Sequence, residues 1–189
     1  MDCTFDLPAR EAICVVDSAV RSLARPSRFH PEDSEQRMDA VRRRLEQMVA
    51  AQGPRRGARR ARAVLRITSR LAESPGESVL RWFVRALGLP APRLQARIAD
   101  PDLSRFYFPD EVWPEFKVLA EFDGQLKYTS PEELWREKQR HDALVRMGWH
   151  TERFIWSDFG DLDALRLRVL TLFPPAAARL WRPMADLWK

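Results

Sequence analysis

Cysteine is scarce in this chain, and long apolar runs are missing. The two cysteines, Cys3 and Cys14, are too few and too isolated for a disulfide framework or a zinc site. No apolar run approaches the roughly 20 residues that a membrane span requires. The first residues also lack the basic segment and apolar stretch of a signal peptide. We therefore expect a cytoplasmic protein without a membrane partner.

The composition is typical of a globular protein with one principal core. Apolar residues make up 45% and charged residues 31% of the 189 residues. The sequence contains no internal repeat. A net charge of +5 is compatible with a polyanionic partner, but an excess of this size is also common in ordinary proteins. The distribution of the charge is therefore more informative than its sum.

Arginine is concentrated between residues 41 and 70, in a region where helical spacing dominates. Only one acid, Glu46, lies in that stretch. Arginines in such a run can neutralise phosphates and release counterions, although a solvated helix face explains the run equally well. The candidate DNA-binding residues are Arg55, Arg56, Arg59, Arg60 and Arg62.

From residue 73 onward the pattern changes to a mixture of helices and strands. A helix begins at "SPGES", where Ser74 is placed to cap it and Glu77 occupies the capping-box position. Short extended segments, the strand "FKVLAEFD", a helix, the strand "WHTERFIW" and another helix follow. The order predicts an α/β fold with a mixed sheet covered by helices. The predicted domains are a helical region 1–72, an α/β domain 73–174 and a helical tail 175–189.

Two acids share one face of the strand "FKVLAEFD". Side chains alternate along a strand, so Glu121 and Asp123 lie on the face opposite Phe122. The short link "WPE" predicts a hairpin that brings Asp110 toward them. Three clustered carboxylates raise one another's pKa unless a cation neutralises them. Magnesium suits such oxygen ligands, and it supports phosphodiester hydrolysis.

These segments together resemble a known superfamily. "SPGES", Asp110 in "PDEVWPE", "EFDGQLKY", "LWREKQRHDALVRMGW" and "RFIW" are similar to the PD-(D/E)xK nucleases. The likeness is strongest to bacterial proteins whose domain is similar to very-short-patch-repair endonucleases, and it covers about residues 74–156. Members often carry an N-terminal winged helix that resembles AbiEi-type antitoxins, and this chain is expected to begin after it.

The resemblance implies a restriction-endonuclease-like fold and magnesium- or manganese-dependent hydrolysis of DNA. Asp110 matches the first acid and Glu121 the second. Asp123 stands where the superfamily pattern has lysine, so the catalytic cation would be Lys127, with Lys138 in support. The implied metal ligands are Asp110, Glu121 and Asp123, and Glu77 is a further candidate catalytic residue.

Each of these residues also has a structural interpretation. The sequence favours a capping role for Glu77 over a catalytic one. Asp110 can be a solvated turn residue, Glu121 and Asp123 surface acids, and Lys138 an exposed helix lysine. We expect four tryptophans in the core rather than at a base-stacking surface, namely Trp113, Trp135, Trp149 and Trp156.

The function also has alternatives. The chain can be a nuclease-like module that binds DNA or a protein partner without cutting, as a regulatory or toxin–antitoxin component. It can also be a functionless remnant. Clustered acids favour the nuclease, because a protein that only binds phosphate does not need them.

Overall fold

The computed structural model of the protein describes residues 2–25, 31–101, 105–124 and 130–189. The chain forms two compact units, Met1–Leu89 with Arg182–Lys189, and Pro90–Trp181. The division thus falls after Leu89, whereas the sequence places a boundary at residue 73. The helix that follows residue 73 packs with the N-terminal helices, and the last eight residues return to the same unit.

The first unit is helical, as the sequence predicts for its N-terminal part. The unit comprises α1 (Asp2–Asp6), α2 (Ala9–Ala24), α3 (Pro31–Ala51), α4 (Ala58–Ile67), α5 (Pro75–Leu87) and a 3₁₀ turn at Ala185–Trp188. The α2 helix packs against α1, α3, α4 and α5, and its apolar stripe is buried.

The start of α5 shows the predicted cap. The Ser74 hydroxyl accepts a hydrogen bond from the backbone N–H of Glu77 at 3.2 Å. The Glu77 carboxylate accepts one from the backbone N–H of Glu73 at 2.8 Å. The first bond satisfies a backbone donor of the first helical turn, and the second holds the residue before the Ser74 cap instead of the Ser74 N–H that a regular capping box would bond. The contacts of Glu77 are therefore those of a capping residue.

A buried ion pair connects α2 with α5. Asp17 and Arg81 bond to each other and are almost inaccessible to water. Asp17 also accepts hydrogen bonds from the Ser78 hydroxyl at 2.6 Å and from the backbone N–H of Ser69 at 2.8 Å. Burial raises the pKa of Asp17, and the charge of Arg81 opposes that rise. The pair is thus held by several bonds in the core of the unit.

The second unit is a mixed α/β structure, as predicted. The elements are β1 (Arg93–Leu94), β2 (Ile98–Asp100), β3 (Arg105–Tyr107), β4 (Glu111–Trp113), β5 (Val118–Phe122), α6 (Pro131–Arg146), β6 (His150–Phe154) and α7 (Leu162–Thr171). The sheet has the order β1-β4-β5-β6, in which β5 and β6 run parallel and the other neighbours antiparallel. A separate antiparallel pair is formed by β2 and β3.

The predicted hairpin around "WPE" is confirmed. A 3₁₀ turn at Pro114–Phe116 joins β4 to β5, and Glu111 lies opposite Ala120 in the ladder. The strand starts at Val118 rather than at Phe116, because Lys117 has a φ of +54° and ends the turn. Both faces of β5 are covered, since Val118, Leu119 and Ala120 are all buried.

The α6 helix covers the face of the sheet that carries Glu121. Ala143 and Leu144 pack with Val112 and Leu119 in one apolar cluster. The helical spacing of Leu134, Lys138, His141 and Val145 suggests a face that could be turned to the sheet, but Leu134 is 54% and Val145 51% exposed. The stripe turned to the sheet instead begins with charged residues, Glu137 and Arg140, and ends with Leu144 and Met147.

No helix in the described part of the chain is long and apolar enough to cross a membrane.

Candidate functional site

Asp110 is held against the β5 strand by its own carboxylate. One oxygen accepts a hydrogen bond from the backbone N–H of Phe122 at 2.8 Å. The other accepts one from the side-chain amide of Gln95 at 3.2 Å. Phe122 lies between Glu121 and Asp123, so Asp110 meets the strand at the predicted acidic pair. The hairpin therefore brings the three predicted acids to the same end of β5.

Glu121 is bound by an arginine from α6. Arg140 donates to both carboxylate oxygens, with a distance of 2.9 Å for the Nη1–Oε2 bond. Arg153 on β6 lies 3.7 Å from Glu121 and 3.8 Å from Asp123. The two strand acids thus share one arginine, as expected for side chains on the same face.

A second acid from α6 completes this network. Glu137 bonds to Arg140 at 3.2 Å and also to Arg153. Burial lowers the pKa of Arg140, but hydrogen bonding and charge from Glu121, with Glu137 in support, more than offset this effect and raise it above its usual value. Opposite charges a few ångströms apart and partly shielded from water stabilise one another. Arginine side chains thus neutralise the acids here.

Lys138 lines the same open cavity as Glu121. The cavity has a volume of about 490 Å³ between α6 and β6, and its other charged walls include Glu137, Glu152 and Arg153. The His141 ring nitrogen Nδ1 lies 3.1 Å from the Thr151 hydroxyl at its edge. The cavity therefore combines carboxylates with cations of the kind that phosphate chemistry uses.

The carboxylates do not form a metal site in this arrangement. Among the residues that the structure describes, no three His, Cys, Asp or Glu side chains are grouped to hold a metal ion. Both oxygens of Glu121 are engaged by Arg140, and both oxygens of Asp110 accept hydrogen bonds. Oxygen donors have the right chemistry for magnesium, but a cation would have to displace Arg140 from Glu121.

Two further predicted catalytic residues are Lys127 and Glu77. Lys127 lies outside the described residues. Glu77 belongs to the helical unit, where it caps α5. The catalytic roles of both residues stay predictions.

The predicted DNA-binding arginines line a cavity in the helical unit. It has a volume of about 950 Å³ and lies at the start of α4, where Gly57 precedes the helix with a φ of +82°. Gly57 is required there, because a Cβ would meet the backbone oxygen of Phe5 at 2.3 Å. The five arginines are joined by Lys189 and face Asp6 and Asp186.

Two of these arginines, Arg55 and Arg60, bond to residues of α1. Arg55 bonds to Asp2 at 2.9 Å and to Asp6 at 3.4 Å, and Arg60 donates to the backbone oxygen of Phe5. These two residues hold α1 in place. Within the described part of the chain no ion pair involves Arg56, Arg59 or Arg62, which are exposed.

Sequence reasoning missed Arg140, Arg153 and Glu137. Arg153 lies directly opposite Glu121 in the β5–β6 ladder, and this pairing depends on a parallel register that the sequence does not specify. Glu137 and Arg140 are three residues apart, a spacing typical of helical ion pairs. That spacing is the sequence feature from which the Glu137–Arg140 pair could have been predicted.

Comparisons with known proteins identify similar proteins but no matching family model. No family model and no solved structure matches the chain. The chain is 34% identical over 130 residues to two proteins of Mycobacterium tuberculosis, uncharacterized protein MT2308 of strain CDC 1551 / Oshkosh and uncharacterized protein Rv2248 of strain ATCC 25618 / H37Rv. The match covers 68% of this chain and 48% of each relative. The chain therefore spans about half the length of the curated relatives it matches.

Proposed function

We propose that the chain is a DNA endonuclease of the PD-(D/E)xK type, with a restriction-endonuclease-like fold in its second unit. The observation that carries this proposal is the hydrogen bond between Asp110 and the backbone N–H of Phe122. Through this bond Asp110, which directly precedes β4, lies beside Glu121 and Asp123 at the end of β5. The parallel strand β6 pairs with the other edge of β5, and α6 packs on the face of the sheet that carries Glu121.

The proposed cofactor is magnesium or manganese, with Asp110, Glu121 and Asp123 as its ligands. Such an ion would supply Lewis acidity and lower the pKa of a bound water. The proposal carries a condition, because Glu121 must first exchange Arg140 for the cation. Cation binding and release of this arginine are therefore expected to be coupled.

The side chains of the cavity have complementary roles in the proposed hydrolysis. The water oxygen bonds to phosphorus, the bond to the leaving sugar oxygen breaks, and the water proton is taken up by a base. A carboxylate can accept that proton, while a fixed cation offsets the charge that grows on the phosphate. Lys138 shares a cavity with Glu121 and is the described lysine suited to the second role.

The proposed DNA contact in the helical unit is electrostatic. Arg56, Arg59 and Arg62 are exposed and lie at helical spacing around the start of α4. Arginines that neutralise backbone phosphates bind DNA of any sequence. This surface would therefore add affinity without selecting a sequence.

A second candidate function is binding without cleavage, as a regulatory or toxin–antitoxin component. The contact between Arg140 and Glu121 favours it, since an acid neutralised by arginine is unavailable to a metal ion.

Incubation of purified protein with supercoiled plasmid in magnesium, manganese or EDTA distinguishes the nuclease from the binding module. Nicked or linear product in the metal buffers alone supports the nuclease. A retarded but intact plasmid in every buffer supports the binding module.

A further inference from the structure

Trp135 is exposed on α6, although the sequence places it in the core. Its side chain is 58% accessible, which is unusual for the largest apolar residue. Trp113, by contrast, is buried as expected. The aromatic surface of Trp135 therefore needs an explanation other than packing within the second unit.

The surroundings of Trp135 are basic. The residue lines an open cavity of about 720 Å³ together with Tyr107, Arg105, Arg136 and Arg140. Among the described residues that line it, Glu132 is the one acid. The Lys138 ammonium lies 5.9 Å from the centre of the Trp135 ring, on the same helix. An apolar ring is thus surrounded by positive charge, and the volume suits a small organic group.

An unpaired nucleotide has a base that suits the Trp135 ring and a phosphate that suits the neighbouring arginines. Its base has a flat π face that stacks on an aromatic side chain, and its phosphate is attracted by guanidinium groups. In duplex DNA the base faces are already stacked on one another, so they are not available to the indole. The combination therefore favours single-stranded over double-stranded nucleic acid.

This cavity adjoins the acidic site through one shared residue. Arg140 lines the wall of the Trp135 cavity and at the same time bonds to Glu121. We propose that Trp135 and Arg136 form a stacking site for an unpaired nucleotide of a DNA strand. The inference rests on the proposed function only in taking DNA as the substrate, because the stacking site requires neither metal nor hydrolysis.

Binding in EDTA tests this site separately from cleavage. The probes are a fluorescein-labelled 12-nucleotide oligothymidylate and a duplex of the same length, measured by anisotropy. Trp135→Ala should weaken binding of the single strand by about tenfold and Trp135→Phe by much less, because one base stack is lost only in the former. Binding of the duplex should change less than twofold with either variant.

Trp156→Ala is the matched control. Trp156 is 47% exposed, but it packs on Phe122 and lies outside the Trp135 cavity. This variant should bind the oligothymidylate like wild type, and thermal unfolding should show that both alanine variants are folded. Unchanged single-strand binding in Trp135→Ala, or an equal loss for the duplex, would overturn the inference. A plasmid that stays intact under all conditions would count against the nuclease but not against this site.

Discussion

Arg140 on α6 donates hydrogen bonds to both carboxylate oxygens of Glu121 on β5. Glu121 is one of the three predicted metal ligands, and this contact engages both of its carboxylate oxygens. The bidentate geometry is the strongest form of an arginine–carboxylate pair. A metal ion bound here would therefore compete with Arg140 for the same two oxygens.

Replacement of Arg140 should strengthen cation binding. Arg140→Gln removes the competing charge, so manganese should bind about 30-fold more tightly, which corresponds to about 2 kcal/mol and lies within the range typical of hydrogen bonds to charged groups. Isothermal titration calorimetry with manganese measures this directly. Arg166→Gln, which removes an exposed charge from α7, is the control and should behave like wild type. Equal or weaker binding in Arg140→Gln would show that no competition exists.

The two candidate lysines should contribute unequally to cleavage. Lys127→Ala is expected to lose most of the activity, because the sequence places this lysine only four residues after Asp123. Lys138→Ala should lose less, about tenfold, since its side chain is exposed at the edge of the cavity. Rates of plasmid nicking at saturating DNA give the order. The reverse order would assign the catalytic role to Lys138, and a fully active double variant would exclude assistance by either lysine.

The helical unit should bind DNA through three arginines rather than five. If Arg56, Arg59 and Arg62 each contact one phosphate, their replacement by alanine should reduce the slope of log K against log salt by about 2.7. Anisotropy titrations between low and high salt measure the slope. The control changes Arg42, Arg43 and Arg44, which are exposed on α3, and alters the net charge by the same amount. Equal slopes for the two triple variants would identify the segment as a solvated helix face.

Loss of one partner of the buried pair should destabilise the helical unit. Asp17→Ala leaves the Arg81 guanidinium buried without its counter-charge, so the free energy of unfolding should fall by about 3–5 kcal/mol. The double variant Asp17→Ala with Arg81→Met should be more stable than this single variant, because it removes the uncompensated charge. Urea unfolding followed by circular dichroism gives both values. A double variant less stable than Asp17→Ala would contradict this explanation.

The sequence predicted the elements that local rules govern. Ser74 and Glu77 form the cap of α5, and the "WPE" turn gives the hairpin that brings Asp110 to the strand of Glu121. Capping and turn formation depend on neighbours within a few residues. For that reason they were predictable without knowledge of the fold.

The environment of the acids depended on long-range pairing and was not predictable. Arg153 meets Glu121 only because β5 and β6 are parallel in one register. The stripe of α6 that faces the sheet begins with Glu137 and Arg140, whose opposite charges allow them to be partly buried. Apolar periodicity cannot reveal such a stripe, and it selected the exposed face with Leu134 instead.

Nicking of supercoiled plasmid by wild type and by Asp110→Asn tests the central proposal most directly. Wild type should nick the plasmid in magnesium or manganese but not in EDTA, and Asp110→Asn should be at least about 100-fold slower, within the range for loss of a key electrostatic group. Asp142→Asn, which changes an exposed acid on α6, should retain the wild-type rate. Cleavage that persists in EDTA, or an Asp110→Asn variant as fast as wild type, would contradict the proposal that Asp110 belongs to a metal-dependent nuclease site.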